Sequence, residues 1–157
     1  MTPEQISLVQ SSFQCLGDRR PELVRRFYEE LFGRDPALRP LFPADLDGQR
    51  ARFAAKLAEI VRAIPRLNDL TGLTRALGAR HAGYGARAGD YQTVGRSLVA
   101  ALAATLGDDF DAATRQAWEL AYSLIAEIML EGAAAARPSA ESPAESPARA
   151  GPGGHQA

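Results

Sequence analysis

Apolar positions recur at three- and four-residue intervals from the N-terminus to about residue 132, the period of helices that bury one face. Thr2, Pro3 and Gln5 make a helix start: a capping threonine, a proline in the first turn and a glutamine able to bond back. Ile6, Val9, Phe13 and Leu16 carry its apolar stripe to Gly17, and Pro21 opens a second helix through Leu23, Phe27 and Leu31 to Gly33. Asp35-Pro36 starts a short third helix, which Pro43 ends just after Phe42. A long helix from about Asp47 to Ile64 presents Phe53, Leu57, Ile60 and Ile64 and stops at Pro65. Asn68 or Asp69 begins the next, which bears Leu73, Leu77 and His81 and runs into a glycine-rich loop over 83–89. Asp90 caps a helix with Tyr91, Val94, Leu98 and Leu102 inward and Gly107 past its end. Asp111 caps the last, which presents Trp118, Ala121, Tyr122, Ile125, Ile128 and Met129. No segment alternates with period two over a useful length, so the expected class is all-α.

The pattern stops near Ala133, where the chain turns to Ala, Pro, Ser, Glu and Gly and nearly repeats itself in Ala140-Glu141-Ser142-Pro143-Ala144-Glu145-Ser146-Pro147. Such a stretch has too little apolar bulk to offset the entropy of ordering. The expected division is one folded domain over 1–132 and a disordered tail over 133–157. A net charge of −1 with both signs interspersed implies neither nucleic acid nor an acidic membrane surface as a partner. Cys15 is the sole cysteine, which excludes an intramolecular disulfide and suits a reducing compartment; on the first helix it reads as a small core hydrophobe. Met1 leads into a polar helix start rather than a secretory signal, and no apolar stretch approaches the length of a membrane span. The expectation is a soluble cytoplasmic protein. The outer helix faces offer no large apolar patch, so it is expected to be monomeric.

His81 changes the picture. It is the one histidine of the expected domain, His155 lying in the tail, and it falls at i+8 of a stripe whose earlier members are Leu73 and Leu77. A neutral imidazole on an apolar face needs a partner for each nitrogen. A core histidine bonded to a backbone carbonyl is one reading, and axial coordination of a haem iron is the other.

Four segments bear on that choice: Phe27-Tyr28-Glu29-Glu30-Leu31-Phe32, Asp35-Pro36 with Phe42, Arg80-His81, and Tyr91-Gln92-Thr93-Val94-Gly95-Arg96. In this order and spacing they resemble the globin fold, about seven helices around a haem pocket, and in particular the single-domain bacterial globins and the haem domain of flavohaemoglobins. The resemblance covers about 2–132. It implies haem b, iron protoporphyrin IX, with His81 as the proximal ligand and Phe42 packed on the porphyrin face. Leu77, Tyr91, Val94 and Leu98 would line the proximal side.

On the distal side the resemblance puts Tyr28 and Gln49 opposite His81, with Phe53 one turn beyond Gln49. Ferrous iron lends electron density to oxygen, and a phenol O–H and an amide N–H aimed at the charged end stabilise it, whereas carbon monoxide gains less. The irregular stretch from Pro43 to Gly48 leaves the register open, and a slip of a residue brings Arg50 or Arg52 inward instead. Arg52 and Arg80 are placed to meet haem propionates or to remain solvated. The resemblance also implies a glutamate on the last helix tied to the proximal histidine. Its place falls near Ala133, with Glu131 and Glu127 off register, which weakens a peroxidase-like reading.

The function expected first is reversible binding of oxygen and other diatomic ligands (NO, CO), as in oxygen transport. The alternatives are nitric oxide detoxification by a dioxygenase reaction, a gas sensor, and a globin fold that has lost haem. No Gly-x-Gly-x-x-Gly in a strand-to-helix setting marks a nucleotide-binding unit, so turnover implies an external reductase.

Overall fold

The computed structural model describes residues 1–136 except Tyr84, and except the side chains at 67–70 and at 73. Capping by Asn68 or Asp69, the place of Leu73 on the His81 stripe, and the tail from 137 with His155 lie outside the described residues. Among the described residues, six α-helices and three 3-10 helices, the longest of six residues, make up the fold, with no strand.

The first helix, α1 (Pro3–Cys15), starts on a reciprocal cap: Gln5 N donates to Thr2 Oγ1 at 3.1 Å, and Thr2 N donates to Gln5 Oε1 at 2.8 Å. Gly17 ends this region with φ of +49°, a left-handed conformation that glycine adopts without steric cost. Cys15 is exposed, so the expectation of a core cysteine is corrected. The apolar stripe of α1 runs through Val9, Phe13 and Leu16, and position 15 falls off it.

Helix α2 (Arg20–Arg34) has Pro21 in its first turn and buries Leu23, Val24, Phe27, Tyr28 and Leu31. Its outer face carries the pairs Arg26–Glu22, Arg25–Glu29 and Arg34–Glu30, all of them well exposed and each worth at most a few tenths of a kcal/mol (~0.3–0.5). The 3-10 helix Pro36–Leu41 is capped by Asp35, whose Oδ1 accepts from Ala37 N at 3.1 Å. The irregular link to the next helix is tied down by Arg39, which donates to the carbonyls of Phe42, Pro43 and Ala44 at 3.3, 2.9 and 2.9 Å.

Helices α3 (Asp47–Ala63), α4 (Leu67–Gly83), α5 (Ala88–Leu106) and α6 (Ala112–Ala136) follow. Helix α4 begins at Leu67, one or two residues before the expected start. Asp90 does not cap α5; it sits in the first turn, where Oδ2 accepts from Arg87 N at 2.9 Å. Asp111 does cap α6, accepting from Thr114 N at 2.9 Å, and this bond holds its carboxyl below the usual range. Helix α6 runs on to Ala136 with Ala133 buried, through residues the sequence placed in the tail.

Helix α2 packs on α5, α1 on α6, and α4 on α6. Trp118 Nε1 donates to Ser12 Oγ at 2.8 Å across the α1–α6 contact. The α4–α6 contact is closer still. A Cβ at Gly78 would lie 1.9 Å from the Met129 carbonyl oxygen, and one at Gly132 would lie 2.1 Å from that of Arg75. The helices therefore meet backbone to backbone, and neither neighbour is a side chain that could move aside.

Gly78→Ala is expected to destabilise the protein by about 1–3 kcal/mol despite the better helix propensity of alanine. Gly72→Ala, on the same helix with open space around it, is expected to stabilise by about 0.5–1 kcal/mol. Urea unfolding of both variants reads the contrast. Equal effects would mean that the crossing is not tight.

Candidate functional site

Tyr28 projects from α2 into a group of four phenylalanine rings and is 2% exposed. Phe27, Phe42 and Phe53 meet it edge-on at 5.0, 5.7 and 5.8 Å. Phe27 also stacks on Phe53 at 4.4 Å with the planes 8° apart, and Phe32 closes on Phe42 at 5.4 Å. Such pairs contribute about 0.5–1.5 kcal/mol each beyond area burial, so the phenol is held firmly at the junction of α2, α3 and the link before α3.

Its hydroxyl is part of a directed chain. Arg52 Nη2 donates to Gln49 Oε1 at 3.0 Å, and Gln49 Nε2 donates to Tyr28 Oη at 3.2 Å. Having accepted, the Tyr28 oxygen keeps its own proton to donate onward. Burial raises the Tyr28 pKa above its ordinary value, with the Gln49 bond acting in the opposite sense, so the group stays a neutral donor through the physiological range. Arg52 folds back along α3, its Nη1 beside Gly48, where a Cβ would sit 3.3 Å away. Arg50 lies nearby and pairs with Asp47 at 3.4 Å.

Across the fold, His81 stands in the last turns of α4, half-buried, with Nδ1 2.8 Å from the Leu77 carbonyl oxygen. A carbonyl only accepts, so Nδ1 is the donor in this bond. Both readings of His81, core histidine and iron ligand, contain this bond. Arg80 beside it is exposed. Leu98 is buried on α5, while Leu77, Tyr91 and Val94 are half-buried.

Tyr122 of α6 braces this side. Its Oη donates to the Tyr91 carbonyl at 2.6 Å, and its ring lies on Gly95, where a Cβ would come within 2.6 Å of a ring carbon. Burial raises its pKa strongly, with Tyr91 adding to the shift. Tyr91 Oη is buried and has no hydrogen-bond partner among the described residues. Glu131, a carboxylate near the place where the resemblance sets a partner, pairs instead with Arg75 at 3.6 Å on an exposed surface, and Glu127 is exposed.

The globin family model matches residues 25–129. The chain belongs to the globin family. Flavohaemoproteins of Vibrio cholerae and Bordetella pertussis are similar to it at 25% and 29% identity, each over 83% of this chain and 34% and 33% of their own length. The chain thus spans about a third of the length of those relatives. A bacterial globin from Campylobacter jejuni shares the fold with a TM-score of 0.76 at 25% identity, covering 85% of this chain and 97% of that one. An engineered carbene transferase from Rhodothermus marinus, a candidate nitric oxide dioxygenase, superposes with a TM-score of 0.77 at 27% identity, covering 86% and 94%.

The residues present fit a haem. Helix α3 fully buries only Val61 among its seventeen residues, and its inner residues Phe53 and Leu57 pack on the core while staying half-covered. Phe42, Leu77, Tyr91 and Val94 are half-covered in the same way. An apolar face drawn from α3, α4, α5 and the link before α3 is what a flat macrocycle covers, and His81 supplies a nitrogen ligand. Haem binding goes with the family and with this fit.

Phe27, Phe32, Tyr122 and Gly95 are parts of the site that helix patterning does not single out. Phe27 and Tyr122 read as ordinary stripe positions, while Phe32 and Gly95 stand within the segments that carry the resemblance without a role of their own. An unbonded buried hydroxyl costs about 1–3 kcal/mol, less where the residue is half-exposed. Tyr91→Phe is therefore expected to leave stability unchanged or raise it by up to about 1 kcal/mol in thermal unfolding of the haem-loaded protein. A clear loss would reveal a partner for Tyr91 Oη.

Proposed function

We propose that this globin holds haem b through His81 and reversibly binds oxygen and other diatomic gases beneath Tyr28 and Gln49. Ferrous haem supplies an iron that coordinates a diatomic gas and lends it electron density. The chain's own residues do the rest. His81, with Nδ1 engaged by the Leu77 carbonyl, offers Nε2 along a fixed direction. Phe42, Phe53, Leu77, Val94 and Leu98 provide the apolar walls that exclude water, and Tyr91 stands among them.

The observation that carries the reading is the donor chain from Arg52 through Gln49 to Tyr28. Arg52 occupies the amide oxygen, so the amide nitrogen turns toward the phenol, and the phenol proton is left for a ligand that carries negative charge. Arg52 has this role within the reading in place of a propionate contact, while Arg80, exposed at the end of α4, remains available to a propionate.

A second reading is favoured by the similarity to flavohaemoproteins and to the Rhodothermus protein: nitric oxide and oxygen combine to nitrate, with one electron drawn from an external reductase. The same donors serve it, because the same charged oxygen is held. Peroxidase-like chemistry is disfavoured, since Glu131 is turned to Arg75 and Tyr91 Oη lacks a carboxylate.

Tyr28→Phe removes a donor to a partly charged acceptor, a loss of about 1.5–3 kcal/mol. Oxygen dissociation should accelerate roughly ten- to hundredfold and carbon monoxide dissociation far less. Gln49→Leu should act in the same direction. Stopped-flow dissociation rates check this, and an unchanged oxygen rate in both variants would overturn the donor assignment. Mixing the oxygenated protein with nitric oxide, under multiple turnover with a reductase, separates the two readings.

A further inference from the structure

The face of the molecule made by α1, the start of α2 and the end of α3 holds a groove of about 250 Å³, and none of Tyr28, Gln49, Phe53 or His81 lines it. Its apolar part is formed by Phe13, Ala58 and Val61, the first and last of these buried in the core. Its polar part is cationic: Arg20 and Arg62 line it together with Gln10 and Gln14, and no carboxylate does. Neither guanidinium is in an ion pair among the described residues.

Arg20 is the more telling of the two. Its guanidinium lies over the Phe13 ring at 4.3 Å, and its Nε is buried without a hydrogen-bond partner among the described residues. It is also the first residue of α2, where the helix end adds partial positive charge rather than cancelling the cation. Arg20 as a whole is half-buried, and a guanidinium at the edge of an apolar groove is commonly met by a carboxylate or phosphate. Gln10 is already committed, its Nε2 donating to the Val61 carbonyl at 3.1 Å, so the side of the groove formed by α1 and α3 is braced.

We propose that this groove is a second ligand site, taking an amphipathic carboxylate with its head on Arg20 and Arg62 and its tail on Phe13, Ala58 and Val61. A cavity of about 150 Å³ accepts a six-carbon ring, so this one suits a ligand of about ten non-hydrogen atoms. The carboxylate faces the guanidinium groups of Arg20 and Arg62, for which the groove lining supplies no acid.

The test uses the full chain, loaded with haem and saturated with carbon monoxide so that the haem pocket is closed to the probe. Octanoate is titrated while amide shifts are followed by NMR, with 1-octanol and inorganic phosphate as separate arms. The expected result is saturable binding of octanoate, one per chain, with shifts confined to α1, the start of α2 and the end of α3. Octanol, without charge, and phosphate, without a tail, should bind at least tenfold more weakly. Arg62→Gln, an exposed position, should weaken octanoate at least tenfold with carbon monoxide binding unchanged, and Arg20→Gln should do the same if it folds.

Octanol binding as well as octanoate would show an apolar crevice without an anion site. Phosphate binding equally well would show a bare oxyanion site. Shifts at the haem, or octanoate affinity unaffected by Arg62→Gln, would each overturn the proposal.

Discussion

Two glycines let α4 and α6 touch through their backbones, Gly78 against the Met129 carbonyl and Gly132 against that of Arg75. Contacts of this kind leave no flexible side chain to absorb an error, so they fix both the height and the rotation of α4 on α6. His81 follows Gly78 by less than one helical turn, and its Nδ1 is held by the carbonyl of Leu77, the residue just before that glycine. The direction of the imidazole is thus inherited from the crossing. Helix α5, the other wall on this side, is set by the same α6, through Tyr122 lying on Gly95 and bonding the Tyr91 carbonyl. One helix therefore positions both proximal walls.

The two sides of the candidate pocket differ in their polar equipment. On one, Tyr28 is packed among four phenylalanines and accepts from Gln49, which is itself oriented by Arg52. On the other, the Tyr91 hydroxyl is buried without a partner among the described residues, Glu127 is exposed, and Glu131 pairs with Arg75. In the proposed function, donation from Tyr28 toward a ligand, with Glu131 engaged by Arg75, suits the stabilisation of charge on a bound gas better than cleavage of an O–O bond. In the proposed function this asymmetry selects binding, or dioxygenation of nitric oxide, over peroxidase chemistry.

Much of this was legible along the chain, where the physics is local. The Thr2–Gln5 cap, the Asp35 and Asp111 caps and the prolines at 21, 36 and 65 announce helix ends because capping depends on residues within one turn. The family was legible from four short segments read together. The Gly78 and Gly132 contacts were not, because a glycine in a helix looks the same whether it meets a backbone or solvent, as Gly72 shows. Cys15 was misread because burial was inferred from residue type rather than from its angle off the Val9–Phe13–Leu16 stripe. The partner of Arg52 was out of reach as well, since a long side chain near a pocket mouth has several polar groups within range, and its rotamer decides among them.

The most direct test of the account is the absorption spectrum of the haem-loaded, ferrous protein with His81 replaced by glycine, recorded with and without added imidazole. The wild-type chain should take up one haem and show the spectrum of a five-coordinate, histidine-ligated iron. His81→Gly should lose that spectrum, and imidazole entering the vacated space should restore it, because the α4–α6 crossing still holds the walls in place. A His81→Gly protein that keeps the wild-type ferrous spectrum and haem affinity without imidazole would contradict the account.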